Sequence, residues 1–169
     1  MATQQVLVLI KPDGMVKSLV GNILSILSET KLKIVGAKIV RVKKELAEKH
    51  YERHKGKPFY DELMNYLTGN LQYHTNRILA IVYEGDDAIE KIRTLVGNKN
   101  PENADPKSIR GKFGRINSKT GVFENVLHAS DEASEAEREI KLWFKPSELA
   151  NVIFKTKEVP VQKTEMDWA

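Results

Sequence analysis

The chain contains no cysteine. That excludes a disulfide framework, a thiolate nucleophile and any metal site built on sulfur. It is compatible with a reducing compartment. Long apolar runs are also missing: nothing approaches the roughly 18 consecutive residues a membrane helix needs. The opening Met1-Ala2-Thr3-Gln4-Gln5 leads into a strand-like run rather than a basic region followed by an apolar leader, so a cytoplasmic address is expected. There is no internal repeat or low-complexity tract. Three glycine-centred patterns, G-x-x-x-x-G-K-[ST], G-x-G-x-x-G and G-x-S-x-G, are absent. Any phosphate or acyl chemistry must therefore rest on other residues.

What is present is a soluble globular composition, with 41% hydrophobic and 30% charged residues in 169. That length suits one domain spanning residues 1–169, with a polar tail over 154–169 that carries an aromatic plug at Trp168. A net charge of +4 and a pI of about 9.1 favour anionic partners such as nucleotides, nucleic acid or acidic proteins. The basic residues are spread along the chain, however, and fit an ordinary solvated surface as well.

Residues 6–10 (Val-Leu-Val-Leu-Ile) form a β-branched apolar run that reads as a buried strand, broken by Pro12-Asp13-Gly14. Leu19, Ile23, Leu24, Ile26 and Leu27 fall at helical spacing. Residues 32–42 alternate apolar with basic, a half-exposed strand with Gly36 as a candidate bulge. A charged helix is expected over 45–55, another opening at Pro58, a loop over 69–76 and a buried strand over 78–83. Asp86 or Asp87 can cap a helix that ends at Gly97. Residues 98–124 read as one long connection. A brief strand at Val126-Leu127 then precedes a helix through Trp143 capped by Ser130 or Asp131. The order implies an α+β sandwich of the split βαβ kind, with helices over one face of a small antiparallel sheet.

His128 stands between a buried strand and a capped helix. Neutral imidazole is a nucleophile near neutral pH, and the following helix start offers N–H groups to an incoming phosphate. Glu139, further along that helix, could orient the ring. Taken alone, such a histidine more often merely satisfies its hydrogen bonds. Lys11 at a strand terminus, Arg93 and Arg110 could each hold phosphate oxygens, yet each alone is an ordinary surface residue. Phe59 could stack a base, although the core is the default place for a phenylalanine. His50 and His54 lie four apart, a spacing that can bind zinc, but no third ligand suggests itself.

Together the motifs resemble the nucleoside diphosphate kinase family from about residue 6 to 148. They include Leu9-Ile10-Lys11-Pro12-Asp13-Gly14, Leu19-Val20-Gly21, His50-Tyr51, Lys57-Pro58-Phe59, Tyr83-Glu84-Gly85 and Ile109-Arg110-Gly111. Most specific is Asn125-Val126-Leu127-His128-Ala129-Ser130-Asp131. The resemblance implies a ferredoxin-like βαββαβ sandwich, its small antiparallel sheet covered by helices. It implies a ping-pong exchange in which a nucleoside triphosphate such as ATP phosphorylates His128 and a diphosphate takes the group away. In this scheme Glu139 orients His128 and Ser130 belongs to the catalytic set. Lys11 and Tyr51 hold the transferring phosphate, Arg93 and Arg110 the diphosphate, Asn125 with Lys11 the sugar hydroxyl, and Phe59 the base. Magnesium (Mg2+) would arrive with the phosphates rather than in a protein cage. A hexamer built from dimers is implied.

The sequence departs from the family at four places. Lys99 replaces the threonine that usually precedes Asn-Pro, so a charge stands where a hydroxyl bonds phosphate. Lys112 replaces the usual aspartate in Arg110-Gly111-Lys112-Phe113. Residues 69–77 and 113–124 are longer than in compact members and read as polar surface loops. Lys99, Lys112, Arg115 and Lys119 concentrate positive charge in the long connection 98–124, which keeps a nucleic-acid-binding role open as the alternative to an enzyme.

Overall fold

A computed structural model describes residues 3–160 of the protein, apart from Gln72; Trp168 and the rest of 161–169 lie outside the described residues. The elements run β1 (Thr3–Ile10), α1 (Pro12–Val16), α2 (Val20–Ser28), β2 (Lys33–Arg41), α3 (Lys44–His50), α4 (Tyr60–Thr68), β3 (Arg77–Asp86), α5 (Ala88–Val96), α6 (Ile109–Phe113), β4 (Arg115–Ile116), β5 (Phe123–Glu124), β6 (Leu127–Ala129) and α7 (Ala133–Trp143).

Strand β1 explains the architecture. Six of its eight residues in succession are buried, a pattern that requires cover on both faces of the sheet rather than one. Val6, Val8 and Ile10 pack with Ile23 and Leu27 of α2 and with Ile92 and Val96 of α5. Leu7 and Leu9 face the other way, toward Ala47 of α3, Met64 and Leu67 of α4 and Ile140 and Trp143 of α7. Each fully buried side chain of this size contributes roughly 1.5–3 kcal/mol. The expectation of helices over one face is thereby corrected, because the sheet is filled on both sides. Its order is β2-β3-β1-β6 and every neighbouring pair is antiparallel. That is the ferredoxin-like arrangement. A register shift between Ile34 and Gly36 marks the bulge foreseen at Gly36.

Local boundaries differ where tertiary contacts override sequence signals. The third helix stops at His50, and a 3-10 turn over Glu52–His54 follows. His50 and His54 therefore do not share one helix face, and the zinc-like spacing is not realised. The residue capping α7 is Glu132 rather than Ser130 or Asp131, because the Ser130 hydroxyl is turned inward and fully buried. The region 98–124 is not a bare connection. It holds a 3-10 turn at Pro101–Asn103, α6 capped by the Ser108 hydroxyl, and the β4–β5 hairpin.

Candidate active site

The site forms where β1 ends against β6. Lys11 leaves the strand in an extended conformation at the start of α1, with its side chain only 5% exposed. Its Nζ lies 3.5 Å from the Phe123 carbonyl and 5.2 Å from the centre of the Tyr66 ring. Burial, aided by the Arg110 charge, lowers the ammonium to about 8, against the opposing pull of Asp13 and Glu124.

Asp13 is fully buried and clamps the turn that precedes His128. One carboxylate oxygen accepts the Tyr66 hydroxyl; the other accepts the Val126 N–H at 3.0 Å. The Val126 carbonyl accepts Lys11 N–H at 2.8 Å. Val126 itself sits at φ +58°, a conformation a β-branched residue adopts only where its surroundings force it. Gly14 makes the close approach possible. A Cβ there would lie 2.9 Å from the Val126 carbonyl oxygen and 2.8 Å from Ile10 Cγ2.

His128 lies opposite Leu9 in the β1–β6 ladder, with its side chain 17% exposed. Its Nε2 is 3.0 Å from Glu139 Oε2. The same oxygen accepts the Ser130 hydroxyl at 2.6 Å, and the Ser130 oxygen in turn accepts Leu7 N–H at 3.3 Å. Burial alone would raise the Glu139 carboxyl. The hydrogen bond and charge of His128 outweigh it, with His50 and Ser130 adding to the effect, and hold it at about 2. Glu139 is thus an acceptor only. Nε2 of His128 carries the proton, and in the neutral ring Nδ1 carries the free lone pair.

Behind this pair stands His50, which the sequence offered as half of a doubtful zinc spacing and as part of the His50-Tyr51 motif, with no role of its own. It is buried, and its ring meets His128 edge-on at 4.6 Å between centres. Trp143 Nε1–H donates to His50 Nδ1 at 3.1 Å. Burial, then the neighbouring His128, pushes the His50 pKa well below its ordinary value, so it is neutral with its proton on Nε2. Donor atoms of His50, His128 and Glu139 all lie within 4.8 Å of one another. Within the trio, Glu139 is hydrogen-bonded to His128 at 3.0 Å, while His50 Nε2 lies 3.9 Å from Glu139 Oε1 and makes no hydrogen bond among the described residues.

Rings line the way out of the site. Tyr51 is 6.1 Å from His128, His54 is 5.9 Å from Tyr51, and Phe59 is 5.6 Å from His54. Burial, with Glu139 nearby, raises the Tyr51 phenol far above its ordinary pKa and keeps it protonated. Phe59 is 48% exposed, which overturns the core placement that a lone phenylalanine suggests.

Arg110 donates to the Gly97 carbonyl at 3.1 Å and to the Leu127 carbonyl, next to His128, at 3.0 Å. Burial lowers its pKa to about 10, which still leaves it charged at neutral pH. Arg93 is turned outward into an ion pair with Asp131, along an open cleft shared with Gln4, Asp87 and Thr94. Lys99 is exposed, and its carbonyl accepts the side-chain N–H of the buried Asn125 at 2.6 Å. The structure therefore gathers Lys11, Tyr51, Arg110, His128, Ser130 and Glu139 closely, while Arg93, Lys99 and Phe59 stand at the rim. Asp13, His50 and Trp143 were missed because nothing in their local sequence announces partners so distant in the chain. Arg115, counted earlier among loop cations, spends its charge on Glu124 at 2.7 Å.

Residues 4–149 match the family model described as nucleoside diphosphate kinase. Among relatives, the nucleoside diphosphate kinase of Pyrococcus furiosus is 44% identical over 146 residues, covering 86% of both chains. That of Saccharolobus solfataricus is 42% identical over 149 residues, covering 88% of this chain and all of the relative. Among solved structures, a halophilic nucleoside diphosphate kinase from Halobacterium salinarum in complex with CDP superposes with a TM-score of 0.79 at 36% identity, covering 89% of this chain and 93% of that one. A Borrelia burgdorferi nucleoside-diphosphate kinase with bound vanadate and ADP, a transition state mimic, gives 0.78 at 32% identity, covering 89% and 92%.

Proposed function

The chain belongs to the nucleoside diphosphate kinase family, phosphotransferases that move the γ-phosphoryl of a nucleoside triphosphate to a nucleoside diphosphate, and we propose that its nucleophile is Nδ1 of His128. One observation carries this assignment: the 3.0 Å contact between His128 Nε2 and Glu139, which fixes the proton on Nε2 and leaves the lone pair on Nδ1.

In the first half-reaction, that lone pair forms an N–P bond with the γ-phosphorus as the bridging P–O bond breaks, and the diphosphate leaves with the electrons. Glu139 keeps the Nε2 proton and balances the positive charge that grows on the ring. In the second half-reaction, a terminal oxygen of another diphosphate attacks phosphorus, the N–P bond breaks, and the ring regains its lone pair. Phosphoryl transfer needs positioning and charge neutralisation more than covalent help. Lys11 and Arg110 supply charge at the site, and Tyr51 supplies a protonated hydroxyl. Arg93 joins them by exchanging Asp131 for a phosphate oxygen, and Lys99 adds charge at the rim. Asn125 and Lys11 meet the sugar hydroxyl.

The donor set suits magnesium held by the nucleotide rather than by protein. The phosphate side is cationic, and Glu139 is already engaged by His128 and Ser130. Magnesium, when bound on the phosphates, supplies further charge neutralisation. The exposed Phe59 stacks on the base without reading its identity, since every base offers a π-face, so broad nucleotide use follows. Self-association into a hexamer belongs to the same reading, with the outer edge of the sheet as one contact.

The test is labelling with γ-labelled ATP, with and without diphosphate acceptors, for wild type and His128→Ala. We expect an acid-labile, base-stable phosphoprotein that discharges onto several diphosphates, and a loss of more than 1,000-fold in the variant, as expected when the nucleophile of a coupled unit is removed. Transfer that survives in His128→Ala overturns the assignment.

A further inference from the structure

Resting on the roles given above to Lys11 and Asn125, we propose that Glu124 is a positioning residue that holds both of them in place by buckling together the two long loops. Those loops, 69–77 and 113–124, read from sequence as polar surface loops. In the fold they meet on one fully buried carboxylate. Glu124 accepts hydrogen bonds from Arg115 Nε at 2.7 Å, Asn117 Nδ2 at 2.7 Å, Lys17 Nζ at 2.8 Å and the Tyr73 hydroxyl at 2.6 Å. Arg115 also donates to the Tyr73 oxygen at 3.3 Å. One side chain therefore ties together the β4–β5 hairpin, the loop before β3 and the end of α1.

The position of this carboxylate in the chain gives the network its consequence. Phe123, the residue before it, offers the carbonyl that Lys11 Nζ approaches at 3.5 Å. Asn125, the residue after it, donates to the Lys99 carbonyl at 2.6 Å. Val126, held at φ +58°, follows and leads to His128. Fixing Glu124 thus fixes the backbone on both sides: the acceptor for the lysine and the amide that meets the sugar. A carboxylate buried only to staple a hairpin could stand anywhere along it. Here it separates two site contacts by a single residue in each direction. Misplacing a binding group by about 1 Å can cost on the order of 100-fold in rate, so the buckle acts through geometry without touching substrate.

The test measures phosphoenzyme formation from ATP and from its 2′-deoxy and 3′-deoxy analogues, for wild type, Glu124→Gln and Tyr73→Phe, alongside thermal melting. Tyr73→Phe removes one hydroxyl from the buckle and leaves its charges alone, so it serves even if Glu124→Gln does not fold. We expect kcat/KM for ATP to fall about 10- to 100-fold in Glu124→Gln and several-fold in Tyr73→Phe. We also expect the preference for ATP over the deoxy analogues to narrow in both, because Asn125 and Lys11 lose their alignment on the sugar. A lowered melting temperature with kcat/KM and sugar preference unchanged in the folded variants overturns the proposal and reduces Glu124 to a structural anchor. Wild-type labelling that is absent, or that persists in His128→Ala, instead overturns the underlying reading of the site.

Discussion

Burial of Lys11 sets a conflict between stability and charge that can be measured at one residue. Its folded pKa of about 8 lies below the ordinary 10.5. Below pH 8 both the folded and unfolded chains hold the proton, and the fold bears the full cost of a buried charge. Between pH 8 and 10.5 only the unfolded chain keeps it, so stability from this group rises with pH. The difference corresponds to a cost on the order of 3 kcal/mol at neutral pH. Lys11→Met should therefore raise the melting temperature by several degrees while lowering kcat/KM by about 100-fold or more, through loss of a preorganised cation. The wild-type kcat/KM, which reports the free enzyme, should decline as pH rises through about 8, and the variant should show no such limb. A variant that melts lower than wild type, or a wild-type profile flat through pH 8, overturns the role assigned to this buried charge. Lys11 shows how little of a site residue is visible from sequence. Its place after an apolar strand was legible, but its surroundings are set by Tyr66 and Phe123, which it touches, and by the charge of Arg110, residues from three other segments.

Among the elements, the short helix α1 and strand β6 share a wedge. Gly14 lets α1 lie against the Val126 carbonyl, and that carbonyl in turn holds the Lys11 N–H. A methyl at position 14 would press on the Val126 carbonyl as well as on the Ile10 side chain, and overpacking of this kind costs typically 1–3 kcal/mol. Gly14→Ala should lose stability of that size in chemical denaturation. It should also lower kcat/KM per folded molecule, since the displaced turn carries His128 two residues later. Full stability with full activity would show that the contact yields without consequence. Regular elements were the legible ones. The apolar run of β1 and the helix ending at Gly97 follow from periodicity and from the positive φ that glycine permits. Strands β4 and β5 have two residues each, too few for any period, and their hairpin is organised by a carboxylate whose partners lie at residues 17, 73, 115 and 117. The same limit misled the reading of His50 and His54. Their spacing assumed a helix that in fact ends at His50.

At the scale of the whole molecule, the sheet is filled on both faces but open along β2, the longer of its two edge strands. Ile34 and Ile39 on that strand are each 54% exposed. An apolar edge strand is a template for pairing with another chain unless something covers it. Here the cover is partial: Ala150 N–H takes the Val35 carbonyl, and Lys38 pairs with Glu148. The hexamer implied by resemblance thus has a physical candidate for one of its contacts in the antiparallel meeting of two β2 edges. Completing the burial of two isoleucines per chain would contribute a few kcal/mol, at roughly 25 cal/mol per Å² of apolar surface. Replacing both by lysine would set like charges against each other across a symmetric contact. Sedimentation at micromolar concentration should therefore give a hexamer-sized particle for the wild type and a smaller species for Ile34→Lys/Ile39→Lys, with the far-ultraviolet circular dichroism unchanged. A wild type that sediments as a single chain overturns the oligomer itself. A double variant that remains as large as the wild type moves the contact elsewhere on the surface.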